Sequence, residues 1–339
     1  MTTTAARAQQ PVVEQSARSR GAALGSVLSN YGVLLFLVLL ITVFAVLAPT
    51  TFPTWDNARA VLADYSIPGL LALAAVLPLT VNEFDLSLGA TLGFSAITSI
   101  WLSNAGVPLP AVIAVAVLVG ILVGAVNAVL VIRLKINAFI ATLGAATLLA
   151  GGNLLLTNSS LLVLSSDSFA SLTTTRVGGV QVVLAYFVAA SLVLWFTMEK
   201  TPFGRYARAT GLGRPAAQLS GIPTARLMAV SLVLASAIAA VAGGLYASRA
   251  GSTPPSLGPE FLLPAYAAAF LGATTIKPGF FNVWGTVVGV FLLAVGSNGL
   301  TLLGAQTWVT NIFNGGALIV SVAVAGILTR RRRTRQGGH

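Results

Sequence analysis

The sequence predicts an all-α polytopic membrane protein. Of its 339 residues, 56% are hydrophobic and only 8% are charged, whereas a soluble domain typically has about 25% charged residues. Its mean hydropathy is +0.90. Apolar runs recur along the whole chain, and many reach the length of about 20 residues that a helix needs to cross a bilayer.

The apolar segments predict about ten transmembrane helices. They lie at residues 31–49, 67–81, 87–103, 109–132, 138–157, 179–198, 227–248, 261–275, 281–303 and 307–328. Segments 67–81 and 261–275 are short and interrupted by Pro and Gly. In transporters such broken segments often border the solute path, because irregular backbone is tolerated in a membrane only where it is buried or lines a cavity. A short similarity between Gly120–Leu130 and Gly289–Leu300, five spans apart, is a pattern that an inverted repeat produces, and a match this short between small-residue helices also arises by chance.

The distribution of Lys and Arg predicts the orientation of the chain. With ten spans, sixteen basic residues lie on the side of both termini and three (Arg59, Arg176 and Arg249) lie on the other. Basic residues accumulate in cytoplasmic loops, so both termini and the loop 199–226 are predicted to be cytoplasmic. The net charge of +11 is therefore a matter of topology, and nucleic-acid binding is disfavoured because no aromatic residues interleave with the terminal Arg run.

The domain organisation follows from these spans. We expect a cytoplasmic N-terminal tail (1–30), one transmembrane domain (31–328) with its large loop at 199–226, and a basic cytoplasmic tail (329–339). The Ser- and Thr-rich outer loop 158–178 is expected to be solvated, and the Pro-rich outer loop Gly251–Glu260 is expected to be stiff. A stiff outer loop suits the docking of another protein, and equally suits a simple connector.

The residue types that are missing exclude several kinds of chemistry. The chain has no Cys and its single His is His339, which excludes disulfides, thiolate catalysis, zinc sites and His-based acid–base catalysis. None of its lysines (Lys135, Lys200 and Lys277) follows a Gly, so there is no phosphate-binding loop for ATP. We therefore predict no catalytic residue, no metal and no cofactor bound by this chain. If ATP drives it, another chain binds the ATP and its Mg²⁺.

A polar segment between the second and third spans contains two of the eight acidic residues, Glu83 and Asp85. Acids next to apolar spans are costly and usually functional, which would place both at the cytoplasmic mouth of a solute path. Alternatively, Asp85 caps the helix that begins directly after it by accepting backbone N–H bonds. Capping is the favoured interpretation for Asp85, because Asp is a preferred cap residue.

The loop Glu199–Arg226 is predicted to contain two short helices. The first begins at Thr201 and Pro202, where the Thr oxygen can bond free N–H groups, and ends at Gly211 and Gly213. The second begins at Pro215 and is closed by Gly221. Two short helices on a cytoplasmic face suit the groove of another protein. The alternative is a basic loop that only maintains topology.

Several polar residues lie inside the apolar spans, and four of them form a candidate solute path: Asn127, Asn153, Tyr266 and Asn298. Such residues face a polar solute or join neighbouring helices by hydrogen bonds, and joining is the commoner role. Because no Lys, Arg or His is among them, a path lined by these side chains suits a neutral, hydroxyl-rich solute.

In combination, four motifs resemble the permease subunits of bacterial ABC importers for ribose, xylose and related monosaccharides, over nearly the whole chain. The motifs are FDLSLG at Phe84–Gly89, NAFIATLG at Asn137–Gly144, Thr201–Ile222, and Gly285–Thr286 with Asn298–Leu300. The resemblance implies a type II-like permease fold in the bacterial inner membrane. It also implies a second permease subunit (identical or different), a cytoplasmic ATP-binding subunit and an extracytoplasmic solute-binding protein.

By the same resemblance, the ATPase-coupling residues are Thr201, Gly204, Arg205, Gly211, Arg214, Ala216, Ala217 and Gly221. The chain departs from the family pattern in segment 262–273, which lacks its acids, and at Asn82 and Glu83, which replace two glycines. The predicted function is the import of a monosaccharide or related polyol. The alternatives are a nucleoside or branched-chain amino acid permease, an ion-coupled secondary transporter, and a membrane enzyme, which the scarcity of catalytic side chains disfavours.

Overall fold

The computed structural model describes residues 31–336, with side chains described as far as residue 326. Fourteen α-helices make up most of this part of the chain. They are α1 (Tyr31–Leu47), α2 (Trp55–Asp64), α3 (Ser66–Thr80), α4 (Ser87–Asn104), α5 (Leu109–Ala128), α6 (Ala138–Thr157), α7 (Asp167–Thr174), α8 (Val183–Lys200), α9 (Pro202–Leu212), α10 (Arg214–Leu219), α11 (Thr224–Ala250), α12 (Pro259–Ala273), α13 (Val283–Leu302) and α14 (Thr307–Gln336). A π-helical turn, Val129–Arg133, extends α5. The all-α prediction is confirmed.

Each of the ten predicted spans coincides with a helix. By length and composition, six helices of the described chain can cross a membrane on their own, and α2 with α3, bent by 41°, can form a seventh, broken span. The other predicted spans fall on α1, on α4, which is more polar, and on α12, which has only 15 residues. Helix α14 continues to Gln336, so it extends through the segment that was predicted to be a tail. The predicted tail 1–30 lies outside the described residues.

Helix α3 lies at the centre of the bundle. Every residue of α3 except Pro68 is buried, and α4, α8, α11, α12 and α13 pack around it. Burying α3 on all sides explains why it is apolar all round. By contrast, only 17% of the apolar window of α6 and 11% of that of α14 are buried, so these helices lie on the periphery.

One end of the bundle carries two short antiparallel strand pairs and is called the strand end. Strand β1 (Leu162–Val163) pairs with β4 (Ser252–Thr253), and β2 (Arg176–Val177) pairs with β3 (Val180–Gln181). The expectation of a solvated outer loop 158–178 is wrong in part, because α7 packs against the bundle. Its Phe169 and Thr173 are buried, and the Thr173 hydroxyl hydrogen-bonds that of Ser248 at 2.8 Å.

After β4, the chain turns back into the bundle before α12 begins. Asn104, at the last turn of α4, donates to the Val163 carbonyl at the strand end. The Leu257 carbonyl lies against Gly93, and a Cβ at that glycine would collide with it. Gly93 is eleven residues before Asn104, about 16 Å along the helix axis. The predicted span 261–275 is therefore a short helix of 15 residues, preceded by a non-helical segment, 254–258, that reaches deep into the bundle.

Candidate functional site

Helices α9 and α10 together form the α9–α10 segment (Pro202–Leu219), which lies at the end of the bundle opposite the strands. Pro occupies the first turn of both helices, where a missing N–H costs nothing. The prediction that Thr201 caps α9 through its side chain is wrong. Its hydroxyl instead donates to the Thr197 carbonyl at 2.6 Å, and it makes no side-chain cap bond to α9. The helix also runs to Leu212, one residue beyond the predicted stop at Gly211.

Two glycines allow the α9–α10 segment to lie directly on the bundle. A Cβ at Gly204 would collide with the Met198 carbonyl, and one at Gly211 would collide with the Thr80 carbonyl at the end of α3. Ala217 of α10 is also buried. Backbone therefore meets backbone at Gly211 and Thr80, and no side chain separates α9 from the end of α3 at this point.

The opposite face of the α9–α10 segment is free in this chain. Arg205, Ala216 and Gly221 are exposed, and Leu219 is 91% exposed. Gly221 has a left-handed backbone (φ 77°), which closes α10 as predicted. An apolar side chain held out on a short, basic helix pair is a suitable anchor for a partner groove.

Ion pairs join the α9–α10 segment to neighbouring turns. Arg214 Nη2 contacts Glu83 Oε1 in the turn that follows α3. Glu199 pairs with Arg208 of α9 and with Lys277, in the turn that follows α12. Glu83 is therefore engaged by a specific cation, a partner 131 residues away that sequence analysis did not identify.

The connector Asn82–Leu86 links α3 to α4 with non-helical backbone, and side chains from two other helices satisfy its polar groups. The Tyr266 hydroxyl of α12 accepts from the Asp85 N–H and donates to the Asp85 carbonyl, both at 3.0 Å. The Thr142 hydroxyl of α6 accepts from the Leu86 N–H at 3.0 Å. These bonds satisfy the polar backbone groups of Asp85, which is buried within the bundle.

Asp85 is fully buried, and one of its carboxylate oxygens holds the start of α4. Its Oδ1 accepts from the Ser87 N–H at 3.0 Å and from the Ser87 hydroxyl at 2.6 Å. Asn127 Nδ2 donates to that same hydroxyl at 2.8 Å. The Asp85 carboxylate therefore bonds the first residue of α4. The same contacts bring three predicted site residues, Asp85, Asn127 and Tyr266, into one cluster.

The remaining predicted path residues lie apart from this cluster. Asn298 exchanges two hydrogen bonds of 3.1 Å with the amide of Asn57, which ties α13 to α2 near the strand end. Asn153 is 2% exposed, and within the described residues its Oδ1 has no hydrogen-bond partner. A buried amide oxygen without a partner is uncommon and points to a missing donor.

Asn153 lines a cavity of about 660 Å³ between α4, α6 and the segment 254–258. Its wall is apolar except for Asn153, Thr147 and Ser256, and no charged side chain of the described chain lines it. Leu86, at the end of the connector, is part of the wall. This cavity was not predicted from the sequence. The available signal was the pair Gly89 and Gly93, four residues apart on α4, where segment 254–258 packs against the helix.

At the strand end, the three predicted outer arginines gather around one small cavity. Arg59, Arg176 and Arg249 line a space of about 210 Å³. Arg59 pairs with Asp56, and Arg249 pairs with Asp64. The cluster therefore combines a basic centre with two acidic neighbours on an exposed rim.

Residues 57–322 match the family described as the permease component of the branched-chain amino acid transport system. The chain is 30% identical to the ribose import permease protein RbsC of Haemophilus influenzae, covering 85% of this chain and 90% of the relative. It is 29% identical to the D-allose transport system permease protein AlsC of Escherichia coli K12, covering 89% and 93%.

A third relative is the autoinducer 2 import system permease protein LsrD of Escherichia coli K12, at 31% identity over 81% of this chain and 85% of the relative. No solved structure matches the chain significantly.

Proposed function

Because this chain belongs to the family of branched-chain amino acid transport system permease components, we propose that it is the permease subunit of an ATP-driven importer for a monosaccharide or related polyol. The observation that carries the proposal is the similarity, along most of the chain, to permeases named for the import of ribose and D-allose. The binding and hydrolysis of ATP belong to a separate subunit, consistent with the lack of a phosphate-binding loop.

The cavity beside Asn153 supports a neutral solute. Its polar groups are an amide and two hydroxyls, which exchange hydrogen bonds with sugar hydroxyls and offer no counter-charge to an anion or cation. The Asn153 side chain lies in the wall of this cavity, and its buried Oδ1 has no hydrogen-bond partner within the described residues. An apolar wall with a few polar groups is typical of small-molecule sites.

A second permease subunit completes this path. The cavity borders the weakly buried face of α6, where Leu143 and Leu154 line it while remaining exposed. Helix α12 also presents Leu263, which is exposed. Covering this flank with another permease subunit, identical or different, encloses the cavity between two membrane domains.

The two ends of the bundle suit two further partners. The α9–α10 segment, with its exposed Leu219, is the docking site for the ATPase, which places it and both termini in the cytoplasm. The rim around Arg59, Arg176 and Arg249 is the docking site for a solute-binding protein with an acidic surface. This orientation in the bacterial inner membrane agrees with the distribution of Lys and Arg.

Uptake by cells with and without the gene tests the function. Cells that lack only this chain should lose uptake of D-ribose, D-allose or another radiolabelled sugar, and restoring the chain should restore it. Uptake should stop on ATP depletion and persist when the ion gradient is collapsed. Loss of leucine or uridine uptake with normal sugar uptake would instead select an amino acid or nucleoside permease, and dependence on the ion gradient would select a secondary transporter.

A change in the α9–α10 segment tests its coupling role. Deleting Arg214–Ser220, or introducing Gly221→Pro, should abolish uptake while the chain stays in the membrane. Normal uptake by either variant would exclude ATPase coupling through this segment.

A further inference from the structure

Two turns lie side by side at the α9–α10 end of the bundle, and each follows a helix that contains a Pro. One is the connector Asn82–Leu86 after α3, and the other is 274–282 after α12. Each contains a non-glycine residue with left-handed backbone, Asn82 (φ 60°) in the first turn and Ile276 (φ 61°) in the second. This conformation is rare for a β-branched residue such as Ile276. A cavity of about 440 Å³ lies between the two turns and the α9–α10 segment.

The α9–α10 segment is connected to both turns by charge. Arg214 pairs with Glu83 in the first turn, while Lys277 in the second pairs with Glu199, which also pairs with Arg208. The Glu83 side chain is 12% exposed and that of Arg214 is 40% exposed. A pair that is partly shielded from solvent is screened less by salt than one on the open surface.

From Glu83, contacts continue without interruption towards the cavity that Asn153 lines. The next residue, Phe84, stacks on Tyr266 and Phe270, with ring centroids 6.0 and 6.4 Å apart. Asp85 is held by Tyr266 through both of its backbone polar groups. Leu86, three residues after Glu83, already forms part of the cavity wall.

We propose that Glu83 is a positioning residue that transmits movement of the α9–α10 segment to the solute cavity. Glu83 does not line that cavity and acts through the connector. Because hydrogen bonds hold Asp85 and Leu86 to Tyr266 and Thr142, the connector moves as a unit with parts of α12 and α6. A displacement of Arg214 towards or away from the bundle therefore shifts the wall at Leu86. This inference rests on the proposed function and names the route of coupling within it.

Charge reversal tests the route. The importer, purified as a whole complex through a tag on this chain, is reconstituted in liposomes with its binding protein. Sugar uptake and ATP hydrolysis are measured in the same vesicles, with the sugar that the wild-type complex transports among D-ribose and D-allose. Glu83→Arg and Arg214→Glu should each lower the sugar transported per ATP hydrolysed by about tenfold, within the usual range of coupling between sites. The double variant should recover to within about threefold of wild type, because it restores the pair with opposite polarity.

Arg133→Glu is the matched control, since Arg133 is an exposed arginine that forms no ion pair within the described residues. It should leave the ratio of sugar to ATP unchanged. If Glu83→Arg does not assemble, Glu83→Gln, which has nearly the same shape, serves instead and should lower the ratio in the same direction.

The outcomes separate the two proposals. The role of Glu83 is overturned if the single variants transport as much sugar per ATP as the wild type. It is also overturned if the double variant transports as little sugar per ATP as the single variants. A wild-type complex that hydrolyses ATP but transports neither sugar counts against the proposed solute and not against Glu83.

Discussion

Replacing Tyr266 by Phe removes one oxygen atom and leaves two buried backbone groups without a partner. In the native chain, that hydroxyl bonds both the N–H and the C=O of Asp85, which is fully buried. Leaving a buried polar group unsatisfied costs about 1–3 kcal/mol, so two such groups predict a loss of about 2–6 kcal/mol in the free energy of unfolding. The phenyl ring can still stack on Phe84, so the loss reports the hydroxyl alone.

Thermal unfolding in detergent, followed by the fluorescence of the five tryptophans, measures this loss. Tyr246→Phe is the matched control, because the Tyr246 ring contacts Phe261 edge-on while its hydroxyl makes no hydrogen bond within the described chain. Tyr266→Phe should unfold at a clearly lower temperature than the control. If the two variants unfold within a degree of one another, Tyr266 does not hold the connector and the argument from unsatisfied groups is refuted.

Three further predictions concern single contacts. Gly93→Ala places a Cβ against the Leu257 carbonyl and should displace segment 254–258 and abolish uptake, whereas Gly32→Ala, which meets no atom within 4 Å, should transport normally; equal uptake by both would contradict the close packing. Asn57→Leu and Asn298→Leu should each destabilise the protein, and a double-mutant cycle should give a coupling of about 1 kcal/mol; additive effects would exclude the pair. Asn153→Leu removes the unpaired acceptor and should lower sugar uptake several-fold with the protein still folded, as measured by transport and by thermal unfolding; unchanged uptake would remove Asn153 from the path.

The positions of the helices could be predicted from the sequence better than the contacts between them. Apolar runs and Pro or Gly interruptions identified α3 and α12 as unusual, because helix length and helix breakers are local properties. The return of segment 254–258 into the bundle was not predictable in the same way. It depends on the fit of Leu257 against Gly93, a contact between residues 164 positions apart.

The candidate site shows the same division. A bond from Asp85 to the start of the following helix could be expected from the helical run that begins at Ser87, although the cap position itself is Leu86. Its bonds with Tyr266 cross 181 positions of sequence, and the pairing of Glu83 with Arg214 crosses 131. Thr201 was expected to bond forward into α9 but bonds back to Thr197, since a Thr hydroxyl can equally donate to the carbonyl four residues earlier.

The thin packing of α6 and α14 has a consequence for handling the purified protein. A flank that is so little buried within one chain gains its remaining contacts from whatever adsorbs to it, whether lipid, detergent or another polypeptide. By mass action, a polypeptide that binds only the folded form raises the unfolding temperature as its concentration rises. The unfolding temperature of this chain should therefore rise with protein concentration at a fixed detergent-to-protein ratio. Dilution at the same ratio should lower the unfolding temperature.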